Sequence, residues 1–146
     1  WPNDLMVNDQ KAAGILMEHY SHQGGDYLLI GLGVNLASAP EGKSVLAQCF
    51  GGVEIESCDF LKTFLTTFDV WDQRLSSGGA GEVTAAWQDK AWRLEQSITA
   101  KLGDKRYQGK FDSIDDIGSM IIQLENGTKR RITAGQLYFG DETDDN

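Results

Sequence analysis

The stretch WPNDLMVNDQKAAGILMEHY (residues 1–20), continued by SHQGGDYLLIGLGVNL (residues 21–36), alternates short apolar runs with turn-forming residues. Leu5 to Val7 reads as a strand, Asn8-Asp9 as a turn and Lys11 to His19 as a second strand. A Gly24-Gly25-Asp26 turn then leads into a third strand from Tyr27 to Leu36, so the segment is expected to be an antiparallel meander. Gly31 and Gly33 interrupt the third strand, and glycine weakens a strand unless something must approach the backbone closely. The chain opens on Trp1 without an initiator methionine, and Trp1 and Leu5 are apolar enough to belong inside a fold. A fragment of a larger domain is therefore expected.

Outward from the meander, Ala37 to Lys43 reads as a loop and Ser44 to Phe50 as a short helix. From Ser57 onward Phe60, Leu61, Phe64, Leu65, Phe68, Trp71 and Leu75 recur at three- and four-residue steps, the pattern of an amphipathic helix whose stripe packs into a core. The serine- and glycine-rich run 76–81 ends it, and Glu82 to Trp92 reads as a second helix. Both helices are expected to cover the sheet. After Leu94 the texture changes to short β-runs: 97–102, a Gly103-Asp104 turn, 106–112, 118–125, Asn126-Gly127, 128–133 and 136–139. Asn-Gly between alternating apolar runs is a strong hairpin signal, so a small antiparallel barrel is expected there.

The 146 residues, 40% of them hydrophobic, suffice for a globular core. No apolar run is long enough to span a bilayer and no signal-peptide pattern is visible, so no membrane partner is expected. Cys49 and Cys58 fit neither a disulfide scaffold nor a zinc pair, and a reduced, cytoplasmic protein is expected. Of the net charge of −9, Asp141, Glu142, Asp144 and Asp145 in the tail supply four, which leaves an ordinary acidic surface unsuited to general nucleic-acid binding.

Lys11 is the first candidate for chemistry. Lysines on strands ordinarily point to water, because the ammonium is costly to bury. Here Gly14 with Ile15 and Leu16, and Gly31 with Gly33 on the next strand, let a ligand approach the backbone beside one positive charge. That pattern suits a small molecule bearing a carboxylate or phosphate. Asn3 and Asp4 follow a proline that fixes their turn; Asp4 could hold Mg²⁺ or orient the lysine, and an Asx turn satisfying itself is the ordinary alternative. Asn35 caps the third strand or reaches a ligand. His19 and His22 lack the helical spacing of a zinc-protease pair. Lys129-Arg130-Arg131 would point to alternate faces of a strand, which makes a weak nucleic-acid patch.

These residues carry a family resemblance. WPND (1–4), Lys11 followed by AGIL and Glu18, and IGLGVN (30–35) are similar in order and spacing to the central signature of biotin protein ligases. Gly109, Asp115, Gly118 and Gly135 resemble the glycine and aspartate pattern of that family's SH3-like C-terminal domain.

The resemblance implies an α+β fold: part of a class II synthetase-like mixed sheet with covering helices over residues 1–95, then an SH3-like β-barrel with an acidic tail over 96–146. It implies a ligase that joins biotin to ATP as biotinyl-5′-adenylate and transfers biotin to a lysine of a biotin carboxyl carrier protein, with Mg²⁺ assisting. By the same resemblance Lys11 is catalytic and contacts biotin. Gly14, Ile15, Leu16, Gly31 and Gly33 form the biotin wall, Asn3, Asp4 and Asn35 lie at the nucleotide, and Asp4 is the metal candidate.

The family's upstream Gly/Arg-rich loop has no counterpart in these residues, so the chain alone is expected to be inactive. Gln136 stands where the family has an acidic residue, and Phe50 is the candidate for stacking on adenine. A homodimer is a further expectation, because a cut sheet edge self-associates. A lipoate-type ligase of the same superfamily and a non-enzymatic protein-binding module are the alternatives.

Overall fold

A computed structural model describes residues 2–102, 104–133 and 136–139, with side chains up to residue 133. The expectations placed on Trp1, Gly103, Gly135 and the acidic tail lie outside the described residues. The chain divides into two compact units, Pro2–Phe68 and the residues from Asp69 onward.

In the first unit β1 (Asp4–Val7), β2 (Gln10–His22) and β3 (Gly25–Val34) form an antiparallel sheet in the order β1-β2-β3. Asn8 and Asp9 both have positive φ and connect Val7 directly to its partner Gln10. This is the mirror-image two-residue turn whose twist matches a hairpin, and Asn and Asp tolerate it. The second hairpin turns at Gln23-Gly24, both with positive φ, rather than at Gly24-Gly25-Asp26: Gly25 already pairs with His22. Gln23 carries no sequence signal for that conformation. The short helix after β3 is a single 3-10 helix, Leu46–Phe50, closed by Gly51 at φ 68°.

The α-helix α1 (Ser57–Gly78) begins where expected, but its apolar stripe is not core: no residue of α1 is buried. Phe60 stacks on Phe64 and Phe64 meets Phe68 at a tilt along the helix, with ring centroids 6.4 and 6.0 Å apart. Periodicity identified the apolar face correctly; it carries no information about whether a surface to cover that face is at hand. The second helix, α2 (Ala80–Asp89), packs through Trp87 against the second sheet, its ring 6.4 Å from that of Phe111.

That sheet has five antiparallel strands, β4 (Ser97–Leu102), β5 (Lys105–Ile114), β6 (Met120–Gln123), β7 (Lys129–Ile132) and β8 (Gln136–Phe139), in the order β7-β6-β5-β4-β8. Ile98, Ala100, Phe111, Met120, Ile122 and Ile132 form its buried core. The β6–β7 hairpin turns at Glu125-Asn126, with Gly127 at φ 79° and its N–H donating to the Leu124 carbonyl. The glycine takes the left-handed position after the turn, and the Asn126 side chain accepts from the Thr128 N–H. The mixed architecture, an α+β region followed by a small β-sheet module, is the one the sequence led us to expect.

Candidate active site

Lys11 and Gly14 are three residues apart, and on a regular strand their side chains would face opposite ways. Pairing between β1 and β2 breaks this rule. Leu5 faces Ala13 and Met6 faces Lys11, so Ala12 is an extra residue on β2, a β-bulge. The bulge turns Lys11 onto the face of Gly14: a Cβ built on Gly14 would lie 3.1 Å from both Cε and Nζ of Lys11 and 3.6 Å from Oδ1 of Asp4. Gly14 is therefore the bare floor over which the lysine lies.

Asp4 pairs with Gly14 across the β1–β2 ladder, which places its carboxylate 2.6 Å from the Lys11 ammonium. Both side chains are about two-fifths exposed, at 39% and 44%. An ion pair this wet adds at most about 1 kcal/mol of stability, so its main effect is to aim the ammonium.

The register extends the same face. Gly33 pairs with Gly14 and Gly31 with Leu16, so Asp4, Lys11, Gly14, Leu16, Gly31 and Gly33 share one side of the sheet. Three glycines leave a shallow strip of exposed backbone there, edged by Leu16 and by one cation. Ile15 pairs with Leu32, and both side chains lie on the opposite side; the Ile15 N–H donates to the Asn3 carbonyl at 2.9 Å. Asn3 thus enters the site through its backbone. Asn35 sits just past the end of β3, where its side-chain amide donates to the Ser44 carbonyl at 3.1 Å.

The groups behind the lysine carry no sequence signal. Ser44, 1% exposed, donates its N–H to the Lys11 carbonyl and its hydroxyl to Oε1 of Gln48. Asn8 donates its amide to the same oxygen. None of these three forms a recognisable motif; the only clue was the Lys11–Gly14 spacing, which a regular strand cannot turn to one face.

Elsewhere, His19 lies 3.2 Å from Asp26 and the ring of His22 stacks on Tyr20. Among the described residues no group of three His, Cys, Asp or Glu side chains is placed to hold a metal. The basic cluster alternates as expected: Lys129 pairs with Asp112 at 2.7 Å and Arg131 with Asp115 at 2.6 Å, while the Arg130 guanidinium lies 3.9 Å from the Tyr107 ring centroid. Cys49, Cys58 and Phe50 are exposed.

Comparison with known proteins agrees with this arrangement. A family model described as "Biotin/lipoate A/B protein ligase family" matches residues 1–35, the meander that carries Lys11. A second, "Biotin protein ligase C terminal domain", matches residues 94–140. The chain is 34% identical to a biotin–[acetyl-CoA-carboxylase] ligase of Paracoccus denitrificans, over 96% of this chain and 62% of that protein. It is 25% identical to the bifunctional ligase/repressor BirA of Bacillus subtilis, over 92% of this chain and 44% of that one.

In fold it is similar to the biotin protein ligase of Aquifex aeolicus in complex with biotin and ATP, with a TM-score of 0.80 at 21% identity, covering 96% of this chain and 61% of that one. The apo structure of the Aquifex aeolicus enzyme gives a TM-score of 0.79. The chain thus spans less than two thirds of each of these relatives. Lysine, glycine strip and C-terminal sheet module occur together across almost the whole chain, and the chain belongs to the biotin/lipoate protein ligase family.

Proposed function

We propose that this chain belongs to an ATP-dependent biotin protein ligase and carries the charged side of its adenylation site. The observation that carries the reading is the Lys11 ammonium, laid over Gly14 and aimed by Asp4 along a strip of bare backbone. A compact bicyclic ring system can lie on Gly31 and Gly33 with the carboxylate of its side chain directed to the lysine. When the biotin carboxylate attacks the α-phosphate of ATP and the α–β phosphoanhydride bond breaks to release pyrophosphate, negative charge builds up beside that ammonium. A cation already fixed there, in a site closed from water by the substrates, lowers the barrier far more than one that must reorganise. In the second step a neutral lysine amine of a carrier domain such as a biotin carboxyl carrier protein attacks the adenylate carbonyl, forming the amide and releasing AMP and a proton.

Leu16 edges the ligand strip, Ile15 contributes backbone, and Asn3 and Asn35 stand at the nucleotide end. One Asp4 oxygen is given to Lys11, and no further carboxylate joins it in a metal-holding group among the described residues. Within this chain Asp4 therefore serves to orient the lysine. The C-terminal family match begins at residue 94, which supports a boundary near residue 95 in sequence, while the compact units of the structure divide at Phe68 and Asp69. That match also favours biotin over lipoate as the acyl group.

Lys11→Ala and Lys11→Gln in the full-length protein test the reading, with adenylate formation and far-ultraviolet circular dichroism measured together. A loss of about 10²- to 10³-fold in adenylation rate with the fold retained is expected. An unchanged rate would overturn the catalytic role of Lys11, and adenylation of lipoate in preference to biotin would overturn the substrate.

A further inference from the structure

Lys11 reaches the glycine face only because of the bulge at Ala12, and nothing in Ala12 itself requires a bulge. What surrounds it does. The Asn35 N–H donates to the Ala12 carbonyl at 2.8 Å and the Ser44 N–H to the Lys11 carbonyl at 3.1 Å, so both carbonyls at the irregularity are held from one side. Ser44 is in turn fixed two ways: Asn35 Nδ2 donates to its carbonyl, and its hydroxyl donates at 2.8 Å to Gln48 Oε1, an oxygen that also accepts from Asn8 Nδ2 at 2.9 Å. Asn8 belongs to the turn that joins β1 to β2, so this network ties the turn, the bulge and the segment after β3 together. It also occupies the most buried place in the first unit, where Val7, Ala12, Ala13, Ser44 and Ala47 are shut from solvent. The large side chains of β2 and β3 are mostly exposed, so apolar packing at the bulge is limited to the small cluster of Val7, Ala12, Ala13 and Ala47.

We propose that Ser44, Gln48 and Asn8 form a clasp that positions Lys11: they set the bulge that turns its ammonium onto the ligand face, without touching the ligand themselves. The part that concerns catalysis rests on the adenylation reading above. Gln48 is the informative member, because it acts as an acceptor for two donors while its own side chain stays accessible. Glutamate at this position can accept both hydrogen bonds; methionine has nearly the same shape and can accept neither well. A buried serine hydroxyl without its acceptor loses the fixed geometry of its backbone. Displacement of a charge-stabilising group by a fraction of an ångström to one ångström costs about 10- to 100-fold in rate.

The test compares Gln48→Met, Gln48→Glu and Ser44→Ala in the full-length protein, measuring kcat and the biotin KM for adenylation, amide exchange at Ser44 and Asn35, and the ammonium NMR signal of Lys11. Gln48→Met and Ser44→Ala are expected to lower kcat about tenfold with less effect on KM, to accelerate exchange and to shift the Lys11 signal. Gln48→Glu should retain most of the rate, and the Gln48→Met/Ser44→Ala double variant should be little worse than either single one. Wild-type kcat and an unmoved Lys11 signal in Gln48→Met would overturn the clasp. If the wild-type protein forms no adenylate, the functional reading fails, while exchange and the Lys11 signal still decide whether the clasp holds the bulge.

Discussion

Phe111, Met120, Ile122 and Ile132 of the second sheet are each at most 1% exposed, whereas Leu16, Leu28 and Leu29 of the first are 64, 59 and 53% exposed. Both regions are antiparallel, both turn through residues with positive φ, and both contain strand glycines. They differ in where their free energy comes from. The second sheet closes on its own apolar core, topped by Trp87 from α2. The first holds together through its ladders and through the polar knot behind Lys11, and keeps a wide apolar surface open. Leu16 and Leu29 lie on the glycine face and Leu28 on the opposite one, so the first sheet leaves both of its faces open, whereas the second buries its inner face.

Truncating one large side chain in each region gives the widest contrast. Phe111→Ala removes a fully buried ring and should cost about 3–5 kcal/mol. Leu28→Ala, on the open face of β3, should change stability by no more than about 0.5 kcal/mol. Urea unfolding of the two variants measures both. Equal costs would mean that the two sheets are a single cooperative core, and the comparison would fail.

Glycines sharpen it at the next level down. Gly109 and Gly31 look alike in sequence, yet a Cβ on Gly109 would sit 2.5 Å from the Gln123 carbonyl oxygen, while one on Gly31 would meet Leu16 at ordinary contact distances of 3.7 and 3.8 Å. Gly109→Ala therefore forces β5 away from β6 and should destabilise by about 1–3 kcal/mol. Gly31→Ala should leave stability nearly unchanged and instead raise the KM for biotin, since its methyl stands on the proposed ligand strip. Thermal unfolding and adenylation kinetics separate the two; a destabilised Gly31→Ala with normal KM would remove Gly31 from the ligand face.

Much of this contrast could be read from the residues alone. The meander, both helices and the five later strands follow from alternation, three-to-four periodicity and turn chemistry, because each depends on neighbours within a few positions. The strand glycines stood out because each weakens a strand unless something approaches the backbone, and Lys11 stood out because it lies among them. The long-range facts were not legible. The Gln23-Gly24 turn defeats local preference, since glutamine has no bias toward positive φ. The α1 stripe shows an apolar face but not whether the chain covers it. Ser44 and Gln48 meet Lys11 and Asn8 across more than thirty positions, through hydrogen bonds that any serine or glutamine could make.

The smallest expected effect separates the regions by pH. Asp112 is held below the ordinary carboxylate range, first by the hydrogen bond from Lys129, with help from Ser113, against partial burial that pushes it up. Burial likewise pushes Asp115 up, but the Ser119 and Ile117 N–H groups and the Arg131 guanidinium more than offset it and hold it low. An unfolded aspartate titrates near about 3.9, so each carboxylate contributes its full stabilisation above that pH and loses it as pH falls through the lower folded value. Both belong to the second sheet. Acid should therefore weaken that sheet below about pH 4, and Asp115→Asn, which has nothing left to protonate at that position, should show a shallower loss. Unfolding midpoints followed at the methyl signal of Ile122, in the buried core beside these strands, measure the slope. An acid loss equally steep in Asp115→Asn would assign the pH dependence to groups outside the Asp115 turn, and the self-supporting sheet would then owe its acid limit to something other than the carboxylate that organises its β5–β6 corner.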